Sequence, residues 1–401
     1  TEFSLNENKL PTKEDLDEVA PDIPVFISSI EFHTLTVNSF ALHKLELPLT
    51  IDKIIKNSNG IPTGQLLDEA SILARRKMYE MLSEEEQNKN LLKVQNRILS
   101  KGVTSLIAIE GGYLFHNKHV DYLLNNKEKF KFDISILFST TNIEKVKTYD
   151  FNKIGGDIFF DGSFRSHNAS ISKHYNDDKN EYGKLFFTIE EMEEFVDKSI
   201  KENLQVSIHA VGDFGIEKIL DVYEKVLLKY PNKDLRHKIE HFELPKDSHI
   251  KRAKKLNLIL SMHPTYEYFF REDGGMYEKR LGKERALKTN PFRKIFDKKI
   301  IVTGGSDSDV MPIDPLLGIH AAVNHPNVNS RIEPYEALMM YTKNAAFGNF
   351  EEKSKGTIEE GKIADIVILS NNPLTINHNK LKDIEVLYTI KNGEIVFEKG
   401  E

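Results

Sequence analysis

Residues 204–213 read LQVSIHAVGD, a short apolar stretch that closes on a histidine, a glycine and an aspartate. Valine and isoleucine in this pattern favour a β-strand, and the final GD favours a turn. The spacing becomes helical on both sides, over 189–203 and after the turn. The preceding helix starts with Thr188, followed three residues later by Glu191, which is a capping-box pattern. A strand between two helices is typical of a parallel sheet covered by helices.

The same alternation of strand, turn and helix recurs along most of the chain. Seven stretches have the composition of barrel strands: 102–109, 133–139, 156–160, 204–209, 237–242, 256–262 and 299–303. Strands that alternate with helices in this number predict an α/β fold, a (β/α)8 TIM barrel. Because only seven strands are found, we expect a distorted barrel in which one strand is missing.

Two regions break this alternation. Residues from about 24 to 101 contain a β-rich part and a long charged helical stretch, and we expect an insertion that lies over the barrel mouth. After about residue 355 the chain predicts short strands joined by turns, with a hairpin at Asn392-Gly393. The predicted domains are therefore a barrel over 1–354, with its insertion at about 24–101, and the β-strands of a small β-sandwich over 355–401.

Composition limits the classes of function. The chain has 401 residues and a formal net charge of −7. Its charged residues are distributed along the chain and do not form long runs of one sign, so neither a nucleic-acid nor a membrane partner is indicated. It has no cysteine, which excludes thiolate catalysis, disulfides and sulfur-bound metal. No apolar run approaches the length of a membrane span of about 20 residues. We expect a cytoplasmic protein that acts on a small molecule.

The ends of the predicted strands carry metal-binding residue types. His209 and His241 stand where their strands stop, and Asp307 follows the last strand. In a barrel enzyme the working residues lie at the carboxyl ends of the strands. Histidine and carboxylate are the ligands that Zn²⁺ uses when no thiolate is present, and a bound water completes such a site. A single histidine of this kind is more often structural, but three residues together favour a metal site.

Nine segments stand out along the chain, in this order: PTKEDLDEVAPDIPVFI, FHTLTVNSFAL, GIPTGQLLDEA, FFDGSFRSHNA, VSIHAVGDFGIEKIL, RHKIEHFE, GGSDSDVMPIDPLLGIHAAV, EALMMYTKNAA and GTIEEGKIADIVILSNNPL. Together, and in this order, they resemble the amidohydrolase superfamily, and within it the branch called amidohydrolase family 3. The resemblance runs from about residue 11 to the end of the chain.

The resemblance implies a function and a set of roles. His209 and His241 would be metal ligands from the fifth and sixth strands, and Asp307 would be the eighth-strand aspartate that binds metal or takes the proton from its water. The cofactor would be one or two divalent ions, with zinc the first choice. The reaction would be hydrolysis of an amide or another C–N bond by a metal-activated water. The resemblance also favours a homodimer.

Five further residues have roles that the sequence leaves open. Asp157 stands where many members of the family have a lysine that bridges metals, and it is equally well read as a metal ligand or as a solvated aspartate. His33 and His263 either line the substrate pocket or are ordinary core or surface histidines. Arg165 either binds a substrate carboxylate, as Arg331 would, or lies at the surface. Asp161 is expected to shape its loop.

The family's first strand carries a His-x-His pair, and this sequence contains none. The missing strand is therefore identified as the first one. Three explanations remain open: a fragment of a longer protein, a degenerate scaffold without activity, or a two-chain enzyme in which another polypeptide supplies a complementing N-terminal segment.

Overall fold

A computed structural model describes residues 10–28, 34–112 and 116–400, apart from the side chain of Asp157. The described chain forms two compact units. The first runs to Leu91 and includes His116, and the second comprises the remaining described residues. The boundary between them falls within a long helix, α4 in the numbering below.

The first unit is a small antiparallel sheet with helices. Its four strands are hydrogen-bonded in the order β1-β2-β4-β3, and its core is built from aliphatic side chains such as Leu35, Val37 and Leu66. The predicted insertion at 24–101 overlaps this unit, and its position over the barrel mouth stays a prediction. The elements are α1 (Lys13–Val19), β1 (Phe26–Ser28), β2 (Thr34–Val37), α2 (Ser39–Leu45), β3 (Ile54–Lys56), β4 (Pro62–Leu67), α3 (Asp68–Glu80) and the start of α4 (Glu84–Ser100).

The second unit is dominated by a curled parallel sheet of seven strands. The strands are β5 (Ser105–Glu110), β6 (Asp133–Phe138), β7 (Lys153–Phe159), β8 (Gln205–Ala210), β9 (Lys238–His241), β10 (Ile259–Met262) and β11 (Val302–Gly304). They lie side by side in chain order, and among the described residues no backbone ladder joins β11 back to β5. The prediction of a distorted TIM barrel with seven strands is confirmed, and the sheet forms a half-barrel.

Helices separate the strands and cover the sheet. The helix α7 begins as predicted, because Thr188 Oγ1 accepts a hydrogen bond from Glu191 N at 3.2 Å and Glu191 Oε2 accepts one from Thr188 N at 2.8 Å. The helices of this unit are α5 (Asn117–Asn125), α6 (Ile143–Thr148), α7 (Ile189–Lys201), α8 (Asp213–Leu227), α9 (Asp247–Lys255), α10 (Thr265–Phe270), α11 (Met276–Leu281), α12 (Lys283–Ala286), α13 (Phe292–Asp297), α14 (Pro315–Val323), α15 (Pro334–Met340) and α16 (Lys343–Gly348).

The chain ends in a three-stranded antiparallel sheet of β12 (Ile366–Leu369), β13 (Val386–Lys391) and β14 (Glu394–Glu398). The turn between the last two strands is Asn392-Gly393, and both residues have positive φ, +56° and +86°. Such a pair matches the type I′ turn that joins hairpin strands. The sequence predicted this hairpin.

Two hydrophobic cores position the site. The main core lies between the parallel sheet and its helices and includes Val206, Ile239 and Val302. A second core is built from segments that follow the strands, with Phe164, Tyr175, Tyr266 and Tyr277 among its members. Within the described ranges, none of the helices combines the length and the apolar character that crossing a lipid bilayer requires.

Candidate metal centre

Three neighbouring strands bring a histidine, a second histidine and an aspartate together. His241 is the last residue of β9, His263 directly follows β10, and Asp307 lies three residues after β11. One ligand atom from each residue lies within 4.8 Å of the others. Both histidines are buried, with 4% and 8% of their surface exposed. Two imidazoles and one carboxylate at this separation form a donor set that suits a divalent ion such as Zn²⁺.

The backbone at this cluster is strained. His241 and Asp307 have φ values of +71° and +52°, in the left-handed region that L-residues rarely adopt. Each such residue costs on the order of 1–3 kcal/mol, so the surrounding structure must hold it in place. Strain of this kind is concentrated where side chains are aimed for function.

The carboxylate of Asp307 is held by a tyrosine. The hydroxyl of Tyr266, in α10, donates a hydrogen bond to Asp307 Oδ2. Burial raises the pKa of Tyr266 well above its usual 10, and the nearby carboxylates of Asp307 and Glu243 add to the shift. The phenol therefore stays protonated and acts as a donor. Its ring also stacks on that of His241, with 6.0 Å between centroids.

A second carboxylate lies behind His241. Glu243 Oε1 is 3.7 Å from His241 Nδ1, and Tyr277 donates a hydrogen bond of 2.6 Å to Glu243 Oε2. Burial raises the pKa of Glu243 to about 7, although the neighbouring His241 opposes this shift. Carboxylates that lie behind a ligating histidine commonly fix its ring orientation.

Burial also affects the second imidazole of the cluster. Loss of solvation lowers the pKa of His263, and the neighbouring His241 lowers it further. The neutral imidazole is the form that binds a metal ion. The two rings meet edge to face, with 4.6 Å between their centroids.

His209 lies beside the cluster but is not part of it among the described residues. Its ring centroid is 4.3 Å from that of His241, yet its Nε2 atom lies 3.3 Å from the carbonyl oxygen of Gly162. The same Nε2 lies 3.8 Å from Asp161 Oδ1. The role of His209 as a metal ligand stays a prediction.

Asp161 organises the loop that follows β7. Its carboxylate accepts hydrogen bonds of 2.9 Å from the backbone N–H groups of Ser170, Val211 and Gly212. Burial raises the pKa of Asp161 to about 6, against the lowering effect of His209 and of these donors. This is the loop-shaping role that the sequence predicted.

The remaining predicted residues either make other contacts or lie outside the described part of the chain. Arg165 is buried in the loop after β7, and its carbonyl oxygen accepts hydrogen bonds from Arg280. Arg331 donates from Nε to the carbonyl oxygen of His325 at 2.8 Å. Asp157 is in β7, but its side chain lies outside the described part, as does the whole of His33. Substrate contacts by Arg165 and His33, and metal binding by Asp157, stay predictions.

Sequence reasoning missed three residues that support the site. Glu243 stands two residues after His241, and Tyr266 stands three residues after His263, so their closeness along the chain was the available signal. Tyr277 gave no such signal, because it comes from α11 and reaches Glu243 only through the packing of the second core.

The comparisons with known proteins agree with this geometry. The sequence profile of the amidohydrolase family matches residues 1–397. The protein named amidohydrolase YtcJ, from Bacillus subtilis strain 168, is 30% identical, over 98% of this chain and 79% of its own length. The N-substituted formamide deformylase of Arthrobacter pascens is 24% identical, over 98% and 77%. A solved structure of an uncharacterized metal-dependent hydrolase from Pyrococcus horikoshii OT3 has 25% identity and a TM-score of 0.75, and covers 94% of this chain and 77% of its own.

Proposed function

This chain belongs to the amidohydrolase family, and from that membership we propose that it hydrolyses an amide or another C–N bond of a small molecule. It is a metal-dependent hydrolase of this family. The observation that carries the proposal is the cluster of His241, His263 and Asp307 at the carboxyl ends of three adjacent parallel strands. In a barrel enzyme this edge of the sheet is where the chemistry takes place.

We propose that His241, His263 and Asp307 hold the divalent ion and that the ion is zinc. The donor set fits the preference of zinc for imidazole and carboxylate, and three protein ligands are the number that catalytic zinc sites use. A bound ion of this type polarises the substrate carbonyl and lowers the pKa of a bound water to about 7. His209 stays a proposed further ligand of this site, and a second ion would require Asp157 or a residue from another segment.

The protein's own groups would move the proton. Asp307 would accept a proton from the attacking water and then deliver it to the leaving nitrogen. Tyr266 donates its hydroxyl hydrogen to Oδ2 and so fixes which way this carboxylate faces. Glu243 Oε1 lies 3.7 Å from His241 Nδ1, and Tyr277 holds this glutamate through a hydrogen bond to its Oε2.

The choice of a C–N bond follows from the chemistry of one relative. The name of the Arthrobacter protein states that it removes the formyl group from N-substituted formamides, which are small amides. N-alkyl formamides and simple N-acyl amines are therefore the first substrates to test. The hydrolase relatives do not favour the alternative of a scaffold without activity.

We also propose that a further segment completes the half-barrel. Among the described residues, β5 and β11 each pair with one neighbour, so each leaves an edge where a parallel strand can add. The complementing segment with a His-x-His pair, which the family resemblance implies, would fit between them. A homodimer and a cytoplasmic location stay predictions.

Metal analysis tests the proposed function first. The chain is purified without chelators, and its zinc, manganese and iron contents are measured beside those of a His209→Ala, Asp307→Ala double variant. We expect near-stoichiometric metal in the wild type and its loss in the double variant, and retention in a His378→Ala control, which changes an exposed histidine. Absence of metal from all three proteins would show that this chain does not form the site by itself.

A further inference from the structure

Asp307 is the partly exposed member of the candidate metal cluster, whereas His241 and His263 are buried. A molecule that approaches the cluster from solvent therefore meets Asp307 before it meets either histidine. The side chains that adjoin Asp307 lie along this approach. Their chemistry decides which substituents of a substrate the site accepts.

The second core comes to the surface beside Asp307. Among the described residues, the partly buried apolar side chains that pack against this core are Phe270 and Val310. Val310 lies in the turn that follows Asp307, and its backbone N–H donates a hydrogen bond of 2.8 Å to the carbonyl oxygen of Asp307. One of the two side chains is thus held next to the aspartate by the backbone itself.

Phe270 reaches the same place through Tyr266. The two residues are four apart in α10, so their rings project from one face of the helix, and the ring centroids are 5.2 Å apart. The hydroxyl of Tyr266 donates to Asp307 Oδ2, which leaves Phe270 one ring away from that carboxylate. We call the partly exposed surface of Phe270 and Val310 the apolar margin.

The charges at this side of the site do not suit an acidic substituent. In the described part of the chain, the side-chain partners of the carboxylates of Asp307 and Glu243 are tyrosine and histidine, with no lysine or arginine among them. An acidic group would lose water here without a basic side chain to pair with, which is unfavourable. An apolar group would instead gain from leaving water.

We propose that the apolar margin binds the substituent on the leaving nitrogen, and that this substituent is an uncharged alkyl or aryl group. The inference rests on the proposed function, in which Asp307 delivers a proton to that nitrogen, so that the groups beside Asp307 face the amine half of the substrate. Amides of apolar amines are then preferred over amides of amino acids, whose amine half carries a carboxylate. Phe270 and Val310 determine specificity and take no part in the chemistry.

The test uses three probes that differ in the amine half alone: N-hexylformamide, N-methylformamide and 6-formamidohexanoate, in which a carboxylate replaces the terminal methyl group of the hexyl chain. Ligand-observed NMR measures their binding to the protein purified without chelators, and the same spectra record any release of formate. We expect N-hexylformamide to bind at least tenfold more tightly than either other probe, because its chain leaves water on binding. Equal affinity for the three probes, or no saturable binding of N-hexylformamide, would overturn the proposal.

Substitutions on α10 assign this preference to the apolar margin. Phe270→Ala should reduce the ratio of the affinities for N-hexylformamide and N-methylformamide at least threefold, and Phe270→Leu, which keeps an apolar side chain, should retain most of it. The ratio is the decisive quantity, since an indirect effect through Tyr266 would weaken both probes alike. Phe269→Ala is the matched control, because Phe269 is the preceding residue and is 43% exposed, and it should leave the ratio unchanged.

Failure of this inference and failure of the proposed function give different results. If N-hexylformamide and N-methylformamide release formate with equal kcat/KM and bind equally, the chain is a hydrolase and the apolar margin is not its amine site. If the preference for N-hexylformamide depends on Phe270 but no formate is released, the apolar margin stands and the proposed hydrolysis of formamides fails. A preference that survives in both Phe270→Ala and Val310→Ala, each shown by circular dichroism to be folded, would place the alkyl chain elsewhere and overturn the proposal.

Discussion

The hydroxyl of Tyr266 donates its hydrogen to Oδ2 of Asp307, and the same tyrosine ring lies against His241. The ring also lies 5.8 Å, between centroids, from that of His263, so one side chain contacts all three candidate metal ligands. Tyr266 belongs to α10, which begins two residues after the third ligand, His263. The short segment 263–266 thus links the whole cluster.

Tyr266→Phe removes that hydrogen bond and keeps the ring. We expect metal affinity to fall about 10- to 100-fold, the range seen when a group that orients a ligand is lost. Competition with a chromophoric chelator measures the affinity. Tyr223→Phe is the control, because it also removes a buried tyrosine hydrogen bond, to the carbonyl oxygen of Lys238, but outside the cluster. Equal metal affinity in both variants would contradict the role given to Tyr266.

His263→Ala and His209→Ala distinguish two ligand sets. The distances place His263 in the cluster and His209 beside it, so loss of His263 should reduce bound metal more than loss of His209. Elemental analysis of both variants, purified in parallel without chelators, measures the difference. Both histidines are buried, so the two changes carry similar packing costs. The reverse order would restore the ligand set that the family resemblance implies.

Asp307→Asn should greatly reduce hydrolysis while the protein stays folded. If Asp307 moves the proton, its loss costs about 10²–10⁴ in kcat. The rate of release of amine from an N-alkyl formamide, with excess zinc present, measures the effect. The matched change Asp309→Asn, two residues along the same loop, should retain most of the activity. Full activity of Asp307→Asn would leave the proton to another group.

Stability should fall in mild acid because of His237. Burial lowers the pKa of this histidine from 6.5 to about 4 in the folded state, where its Nδ1 accepts a hydrogen bond of 3.0 Å from Val206 N. Between these two pKa values the unfolded chain binds more protons than the folded one, so the free energy of unfolding rises with pH. The contribution is fully present above pH 6.5 and is lost as pH falls towards 4, by about 3 kcal/mol at most.

Denaturant unfolding between pH 4 and pH 7 measures this dependence. His237→Asn keeps an acceptor for Val206 N and removes the titrating ring. The slope of the free energy of unfolding against pH should therefore decrease, by an amount equivalent to at most one bound proton. The same change at the exposed His378 should leave the slope as in the wild type. An unchanged slope in His237→Asn would show that other groups cause the acid sensitivity.

Gly215→Ala should destabilise the protein although alanine favours helices. An added Cβ would stand 2.4 Å from Asp161 Oδ2, and that carboxylate is fixed by three backbone donors. The gain in helix propensity is about 1 kcal/mol, whereas overpacking a fixed group costs about 1–3 kcal/mol. Thermal unfolding should show a lower Tm. A higher Tm would mean that the Asp161 loop yields more easily than its hydrogen bonds suggest.

The sequence predicted the parallel sheet closely because its strands are short apolar runs, which can be recognised from local composition alone. The stretch 204–209 became Gln205–Ala210, and Asn392-Gly393 formed its hairpin, since both depend on local composition. His241 and Asp307 were found for a related reason: parallel strands place their carboxyl ends at one edge.

The rest depended on tertiary packing. His263 lies in the cluster because β10 is next to β9 in the sheet. The sequence alone predicts only a substrate-pocket residue or an ordinary histidine at this position. Tyr277 comes from the segment between β10 and β11, whose path is set by the second core rather than by local spacing. The four-stranded order of the first unit likewise follows from pairings across the chain.

The open edge of the half-barrel implies a gradient of local stability. Among the described residues, β8 lies at the centre of the sheet and β11 at one end, where its amides pair on one side only. Hydrogen exchange should therefore be slowest in β8 and fastest in β5 and β11. Asp307 follows β11, so one metal ligand is attached to the part of the sheet that opens most readily. Bound metal would tie that end to β9 and β10, and metal occupancy should be measurable as slower exchange along β11.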